Sequence, residues 1–399
     1  MQNVYKLKGV TQHYSWGGKE FIPELLGIEN KEEKPFAEYW LGAHPNAPAI
    51  VEDKDLPLNQ FVNENAVFVL GATAAQRFGS LPYLFKILDV RQMLSIQVHP
   101  SKEAATEEYQ RENEKGIPLH APTRNYKDEN HKPELMVALS DFYLLHGFKE
   151  ESALREMLKR IPQLTFLEPF FSSGGYKALY EEVMTMPQEK ADELLSGLLQ
   201  PIIPQYKSGS IQKSSEHFWA ARAALTFCKG RSYDRGIFSI YLCNLLHLKK
   251  GEGIYQPAGL PHAYLEGQNV EVMAASDNVL RAGLTDKHID VSELLRHVKF
   301  EATHPEIIRA TNEAEQSFNA PAEEFFLKKF TPTGSALLRA ETATIIFFYE
   351  GEGNLNYEEN TITVKRGEAV LVLAGKEVSI LPTTASLTFF SVTAPGDKN

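Results

Sequence analysis

Gln97 and His99 form the first of two clusters whose residue types suit a divalent metal. They lie two residues apart in a predicted strand, residues 94–98, which alternates apolar and polar side chains. Because successive side chains of a strand point to opposite faces, Gln97 and His99 project from the same side. Pro100 ends this strand, so the pair is expected at its exit, with the apolar face packed inside the protein.

The second cluster is the segment 130–134, which enters an apolar run. Pro133 favours an extended backbone at Lys132, so Lys132 and Glu134 are expected on one side of the strand and His131 on the other. A lysine beside a carboxylate on an inward face is costly unless both charges are compensated. A metal would compensate Glu134, and an anionic substrate would compensate Lys132.

An internal repeat near the end of the chain draws attention to His262. Leu-Lys-Lys-Gly-Glu at 248–252 and Pro-Ala-Gly at 257–259 match Val-Lys-Arg-Gly-Glu at 364–368 and Leu-Ala-Gly at 373–375, with the same spacing. The first copy continues into His262, whereas residues 377–379 of the second contain no histidine. We therefore expect a site-specific role for His262 and a structural role for the second copy. Short strands joined by such turns predict two related jelly-roll barrels.

Taken together, these residues offer two imidazole nitrogens and the oxygens of Glu134 and Gln97. Such a set suits Zn²⁺ with one position left for solvent or substrate. Manganese, cobalt and iron accept the same mixture of ligands, so the metal is less well determined than the residues.

Composition limits the class of protein. The chain has 399 residues, too many for one core, and a net charge of −11, which argues against nucleic acid and anionic membranes as partners. No apolar run reaches the ~20 residues needed to cross a bilayer. Cys228 and Cys243 have no metal or redox spacing, which favours two free thiols in the cytoplasm.

The spacing of apolar residues divides the chain into regions and predicts a mainly β fold with a helical insertion. Residues 1–150 and 233–320 have short-strand patterns and would form the metal-binding region. Residues 151–232 have helical spacing, with Leu154, Met157, Leu158 and Ile161 at i, i+3, i+4 and i+7. Residues 321–399 would form a metal-free barrel.

Six segments occur in an order that is similar to one enzyme family. They are Tyr-Ser-Trp-Gly-Gly at 14–18, Ala-Glu-Tyr-Trp-Leu-Gly-Ala-His at 37–44, Leu-Ser-Ile-Gln-Val-His-Pro at 94–100, Asn-His-Lys-Pro-Glu at 130–134, Pro-His-Ala-Tyr at 261–264, and 271–283. From about Val4 to the C-terminal barrel the sequence resembles type I mannose-6-phosphate isomerases (phosphomannose isomerases), zinc enzymes with tandem cupin barrels and a helical insertion. The resemblance implies one Zn²⁺ held by Gln97, His99, Glu134 and His262. The pocket residues that it implies are Trp16, Glu38, Lys86, Ser95, Lys132, Tyr264, Glu271, Asp277 and Arg281.

The implied reaction interconverts mannose 6-phosphate and fructose 6-phosphate by moving a proton between C2 and C1 through an enediol. Lys132 is the first candidate for the proton shuttle, because a nearby metal and partial desolvation favour the neutral amine. His131 and Glu271 are alternatives. Arg281 has the fork of donors that suits the enediolate or the phosphate, although an ion pair with Asp277 would equally explain it.

A bound phosphate needs nearby cations, although the chain as a whole is negatively charged. If the strand holding Lys86 neighbours Ser95, their ammonium and hydroxyl could form an anion pocket, to which Lys132 and Arg281 add positive charge. A lysine that extends to solvent from a strand end is the alternative for Lys86. Trp16 would stack on the sugar or fill the barrel end.

A tyrosine and a carboxylate complete the pocket. We expect Tyr264 to share the face of His262 and to bond the substrate, and Glu38 to contact a substrate hydroxyl or another pocket group.

Three other functions remain open from the residues alone. A cupin-type glucose-6-phosphate isomerase would share the chemistry and differ only in the stereochemistry at C2. A sugar-binding cupin without catalysis would not need a base beside its metal. A metal-dependent oxygenase usually has two histidines and one carboxylate without a glutamine. We expect a monomer whose partner is a small sugar phosphate.

Overall fold

The computed structural model describes residues 2–228, 230 and 232–396. Helix and strand occupy nearly equal shares of the chain, 31% and 30%. The prediction of a mainly β fold was therefore wrong in proportion, although the strands do form antiparallel sheets. No helix within the described ranges combines the length and apolar character needed to cross a membrane.

The described strands run from one end of the chain to the other. They are β1 (Val4–Lys8), β2 (Val10–Gln12), β3 (Glu38–Gly42), β4 (Ile50–Val51), β5 (Leu56–Pro57), β6 (Tyr83–Val90), β7 (Gln97–Val98), β8 (Glu134–Ala138), β9 (Phe142–Phe148), β10 (Cys243–Leu248), β11 (Gly253–Gln256), β12 (His262–Ala274), β13 (Leu280–Arg281), β14 (Glu315–Phe318), β15 (Phe326–Phe330), β16 (Ala336–Ala340), β17 (Thr344–Glu350), β18 (Glu352–Tyr357), β19 (Asn360–Lys365), β20 (Ala369–Val372), β21 (Lys376–Pro382) and β22 (Thr388–Thr393).

The described helices are α1 (Phe21–Leu26), α2 (Leu58–Glu64), α3 (Ala66–Leu70), α4 (Ala72–Phe78), α5 (Lys102–Glu114), α6 (Glu151–Arg160), α7 (Glu168–Thr185), α8 (Gln188–Lys207), α9 (Glu216–Phe227), α10 (Gly236–Leu242) and α11 (Val291–His297). The predicted helical region contains α6 to α9. Helices α1 to α5 lie where the sequence was read as strands. The longest of them, α5, is mostly charged and has no apolar stripe, so hydrophobic periodicity does not detect it. Its start has a local signal, since Ser101 Oγ accepts a hydrogen bond from the Ala104 amide.

Strand β12 organises the sheet that holds the site. It pairs with β6, β8, β9 and, at its first residue, β7. His262 lies opposite Gln97, and Glu271 lies opposite Lys86. This 13-residue strand thus brings together four segments from residues 83–148.

The helical region packs on the outside of this sheet. Ile96 and Val98 are fully buried in one hydrophobic cluster with Leu154 and Leu158 of α6 and with residues of α7, α8 and α9. The apolar face of the segment that carries Gln97 and His99 is therefore covered by the insertion, while the polar face is left for the site.

An eight-stranded and a four-stranded sheet form the other end of the molecule. The first has the order β14-β15-β22-β17-β20-β1-β4-β5, and the second β16-β21-β18-β19. Residues of both sheets form one hydrophobic cluster, which contains Val378, 1% exposed. In the internal repeat, Val378 is the position that corresponds to His262. Strands β1, β4 and β5, which the sequence assigned to the metal-binding region, pair here.

The internal repeat seen in the sequence is also present in the structure. Gly251 and Gly367 have φ values of 89° and 86°, in the left-handed region that favours glycine. In each copy the glutamate side chain caps its own turn: Glu252 accepts a hydrogen bond from the Lys249 amide at 2.9 Å, and Glu368 accepts one from the Lys365 amide at 3.0 Å. The two copies therefore share a turn framework, although only one has a histidine beyond it.

Candidate active site and metal centre

Three buried side chains converge where β7, β8 and β12 meet. Glu134 Oε1 lies 3.3 Å from His99 Nε2, and Glu134 Oε2 lies 3.2 Å from His262 Nε2. His99 is 0% exposed, His262 1% and Glu134 2%. Their potential ligand atoms all lie within 4.8 Å of one another.

The two histidines are oriented so that each Nε2 faces the Glu134 carboxylate. His99 Nδ1 donates to the Asn278 carbonyl at 2.8 Å, and His262 Nδ1 donates to the Leu260 carbonyl at 2.9 Å. Burial lowers the pKa of His99 to about 4, so its imidazole is neutral and its Nε2 carries a lone pair. Neither Nε2 has a hydrogen-bond partner among the described residues.

Glu134 is a carboxylate rather than an acid. Burial alone would raise its pKa, but the Lys132 ammonium, 3.1 Å from Oε1, holds that pKa well below its ordinary value. The lone pair of His99 Nε2 thus faces one oxygen of a negative group, an arrangement that repels unless a cation lies between them, and His262 Nε2 faces the other oxygen. This set of donors fits Zn²⁺.

Gln97 lies beside these three residues. It pairs with His262 in the ladder between β7 and β12, and with Arg281 in the ladder between β7 and β13. Its side chain is partly buried and lines the neighbouring cleft.

A cleft of about 480 Å³ opens at this point. It is lined by Tyr14, Ser15, Trp16, Glu38, Gln92, Met93, Leu94, Ser95, Gln97, Thr226, Phe227, Val279, Arg281, Leu284, Thr285, Asp286 and Lys287. Four predicted pocket residues, Trp16, Glu38, Ser95 and Arg281, are therefore at its surface. Trp16 also stacks on the ring of Tyr14, with centroids 5.9 Å apart.

Among the residues that the structure describes, Arg281 and Lys287 are the cations at the surface of the cleft. Neither side chain forms an ion pair with a carboxylate inside the described ranges; Asp277 is instead bonded to His44 Nε2 at 3.1 Å. The alternative of an Arg281–Asp277 ion pair was therefore wrong. Burial lowers the pKa of Arg281, and burial together with the Arg281 charge lowers the pKa of Lys287. Asp286, which also lines the cleft, acts in the opposite direction on Lys287. Two cations close together at this end of the cleft would still attract an anion.

Lys86 has a different environment from the one predicted. Its strand, β6, lies between β3 and β12 and does not neighbour Ser95. Lys86 Nζ lies 3.6 Å from Glu38 Oε2 and 3.3 Å from Glu271 Oε1. Burial would lower the pKa of Lys86, but these carboxylates raise it. Its charge is already neutralised, so the predicted anion pocket of Lys86 and Ser95 is not formed.

A buried hydrogen-bonded group lies behind the metal ligands. The Tyr264 hydroxyl donates to Glu271 Oε2 at 2.7 Å and accepts from Gln256 Nε2 at 3.1 Å. Burial, with the neighbouring Glu134 charge, raises the pKa of Glu271. Burial likewise raises the pKa of Tyr264 well above its ordinary value.

His131 faces away from this group, as strand alternation predicted. Its Nε2 lies 2.7 Å from Glu324 Oε1, and both residues line a separate cavity. The structure therefore brings Lys132 to the metal ligands and leaves His131 outside.

The sequence reasoning did not identify Lys287, Tyr14 or Asn278 as residues of the site. Lys287 is six residues beyond Arg281, in a segment without regular spacing, so only its closeness to a candidate cation could have pointed to it. The Asn278 carbonyl orients His99, a role that no side-chain pattern reveals.

Comparisons with known proteins agree with this geometry. Residues 4–151 match the family model of the phosphomannose isomerase type I catalytic domain. The mannose-6-phosphate isomerase of Salmonella typhimurium is 35% identical over 388 residues, covering 92% of this chain and 94% of the relative. The human mannose-6-phosphate isomerase is 30% identical over 416 residues, covering 94% and 95%.

A solved structure of the Salmonella typhimurium enzyme, bound to its substrate f6p and to zinc, superposes with a TM-score of 0.89. It is 33% identical and covers 99% of this chain and 100% of that one. A zinc-bound holo structure of a mannose 6-phosphate isomerase has a TM-score of 0.88. The identities and coverage extend far beyond the site residues, and the chain therefore belongs to the type I phosphomannose isomerase family.

Proposed function

We propose that this chain interconverts mannose 6-phosphate and fructose 6-phosphate through an enediol. The observation that carries the proposal is a buried triad of metal ligands beside a cleft in which two cations, Arg281 and Lys287, suit a phosphate. The names of its relatives and the substrate complex of a structural neighbour support the same reaction.

Zn²⁺ would be held by His99, Glu134 and His262, with Gln97 as the fourth ligand. When bound, the ion acts as a Lewis acid that stabilises negative charge developing on substrate oxygen. Glu134 supplies the only formal negative charge of the set, and the Asn278 and Leu260 carbonyls fix the two imidazoles in the ligand orientation.

The phosphate would bind at the Arg281 and Lys287 end of the cleft, with Ser95 as a further donor. A phosphate dianion placed there would form charge-assisted hydrogen bonds with both cations. Lys86 does not take this role, because Glu38 and Glu271 already surround it.

Lys132 would move the proton between C2 and C1. It is the amine nearest to the metal ligands, and it is buried. Glu271 is the second candidate, but its two oxygens are already engaged by Tyr264 and Lys86. His131, whose Nε2 is paired with Glu324 outside the ligand group, is the least favoured of the three.

Other predicted pocket residues have supporting roles in this proposal. Trp16 and Glu38, at the cleft, would contact the sugar. Tyr264 would hold Glu271 rather than bond the substrate directly, since its hydroxyl proton is used. Asp277, bonded to His44, would shape the far side of the substrate pocket.

The proposal also includes the domain architecture, the oligomeric state and the cellular compartment. We infer that the antiparallel sheets form tandem cupin barrels, one with the metal and one closed by its apolar core, and that the chain acts as a monomer in the cytoplasm. The two cysteines, both free, are compatible with that compartment.

The deciding experiment is a coupled isomerase assay before chelation, after chelation, and after Zn²⁺ is restored. We expect turnover of mannose 6-phosphate that disappears on chelation and returns with zinc. Glucose 6-phosphate should be turned over at least about a hundredfold more slowly, since the enzyme must distinguish the configuration at C2. Absence of turnover by zinc-loaded protein would contradict the proposed function, and activity after complete metal removal would contradict the metal mechanism alone.

Replacement of Lys287 by methionine tests the phosphate end of the cleft. The variant keeps a flexible apolar chain but loses the charge, so KM for mannose 6-phosphate should rise about tenfold with kcat within about threefold. Lys250→Met, an exposed lysine outside the cleft, is the matched control and should leave KM unchanged. An unchanged KM in Lys287→Met would remove Lys287 from the phosphate site.

A further inference from the structure

The turn at residues 283–285 connects Arg281 to Lys287 and has an unusual backbone. Leu284 has a φ of 55°, in the left-handed region that leucine rarely adopts, and its side chain is 0% exposed. Gly283, before it, has a φ of 120°. Such a conformation persists only where the surroundings enforce it.

Asp234, which lies outside the turn, holds this conformation by hydrogen bonds. Its Oδ1 accepts a hydrogen bond from the Leu284 amide at 2.9 Å, and its Oδ2 accepts one from the Thr285 amide at 3.0 Å. Oδ1 also accepts from the Gly236 amide at 2.7 Å, which fixes the carboxylate itself. Asp234 lies just before α10, so the segment that follows the helical region holds the end of the cleft where the cations lie.

The Leu284 side chain is packed in a hydrophobic cluster, but cavities lie on both sides of the turn. Leu284 and Thr285 line the substrate cleft, whereas Gly283 lines a second cavity of about 250 Å³ together with Asp234 and Gly236. The turn therefore lies between two cavities.

The hydrogen bonds on the two sides of the turn have different sources. Ile96 pairs with Ala282 and Gly283 through backbone bonds of 2.8 and 3.0 Å, which hold the Arg281 side. On the Lys287 side, the amides of Leu284 and Thr285 are held by Asp234. Loss of the carboxylate would thus move Lys287 relative to Arg281.

We propose that Asp234 is a positioning residue for phosphate binding: it holds the strained turn 283–285 so that Arg281 and Lys287 face the cleft together. This rests on the proposed function, because it deepens the assignment of the phosphate end. Asp234 itself lines the second cavity and not the cleft, so it acts through the turn.

Asp234→Asn is the first test. Asparagine keeps the shape, but an NH₂ group replaces one acceptor oxygen, so one turn amide loses its partner and the negative charge is lost. In zinc-loaded protein we expect KM for mannose 6-phosphate and the inhibition constant of inorganic phosphate to rise together, about tenfold, with kcat changed by less than about threefold. Zinc content should not change.

Two further variants separate positioning from general stability. Asp192→Asn is the matched control, because Asp192 accepts from the Tyr233 amide at 2.6 Å in the same region without contacting the turn; its KM should equal that of the wild type. Gly236→Ala disturbs the turn by another route, since the added Cβ would lie 2.7 Å from the Leu284 amide nitrogen. It should raise KM and the phosphate inhibition constant as Asp234→Asn does.

The outcomes divide cleanly. A lower kcat or melting temperature with unchanged KM and phosphate inhibition in both turn variants would make Asp234 merely structural and overturn the proposal.

If the wild type does not turn over mannose 6-phosphate, the proposed function fails. The turn can then be tested alone by the binding of inorganic phosphate, which tryptophan fluorescence can follow because Trp16 lines the cleft. A roughly tenfold weaker affinity in Asp234→Asn than in the wild type supports the proposal; equal affinity, or no phosphate binding by the wild type, overturns it.

Discussion

Replacing Glu134 by glutamine is expected to abolish metal binding and turnover together. Glutamine removes the single formal negative charge that faces the two histidine nitrogens, and it leaves the buried Lys132 ammonium without its counter-ion at 3.1 Å. Removal of one partner from a buried charged pair typically costs 3–5 kcal/mol, so zinc affinity should fall by at least about a hundredfold. Bound metal after dialysis, chelator competition and kcat measure the effect.

Glu324→Gln is the matched control. Glu324 is likewise a carboxylate beside a histidine, with Oε1 2.7 Å from His131 Nε2, but it lies outside the ligand group. This variant should keep its zinc and its turnover. Full zinc content in Glu134→Gln would show that the ion is held elsewhere.

Lys132→Met is expected to keep its zinc and lose most of its turnover. Methionine fills the same space with an apolar chain, so the three ligands remain, but the group that would exchange a proton with the substrate is gone. General acid–base groups contribute about 10²–10⁴ in rate, and kcat should fall by that amount. Exchange of the substrate C1 and C2 hydrogens with deuterated water, followed by NMR, measures the proton transfer directly.

The competing assignments are tested by the same exchange reaction. Glu271→Gln should slow it less than Lys132→Met does, and His131→Asn should leave it nearly unchanged because His131 pairs with Glu324. If Glu271→Gln lost exchange while Lys132→Met retained it, the shuttle would be Glu271. Equal loss of zinc and kcat in Lys132→Met would make Lys132 structural.

The parts of the site that follow from local geometry could be predicted from the sequence. Alternation along a strand placed Lys132 with Glu134 and His131 on the other side, and the structure has this arrangement. The repeat predicted equivalent turns, and Glu252 and Glu368 cap them with the same hydrogen bond.

The parts that depend on which segments become neighbours could not be predicted. Lys86 appeared available for phosphate because the position of β6 between β3 and β12 is set by tertiary pairing, which brings Glu38 and Glu271 to it. Lys287 and Asp234 are 53 residues apart from each other in sequence and meet the site only through the turn at 283–285. Short helices such as α3 and α4 were missed for a related reason, since a few residues do not define a period.

The position of β1 has a consequence for how the chain is made. Its residues Val4 to Leu7 pair with Val372 to Ala369, about 365 residues later, in the interior of the eight-stranded sheet. During synthesis on the ribosome β4, the other partner of β1, emerges soon after it, but β20 is translated much later, so one edge of β1 stays unpaired while most of the chain is made. Final closure of that sheet is thus a late event with a long loop to close, and the exposed strand is a place where a chaperone could bind the nascent chain.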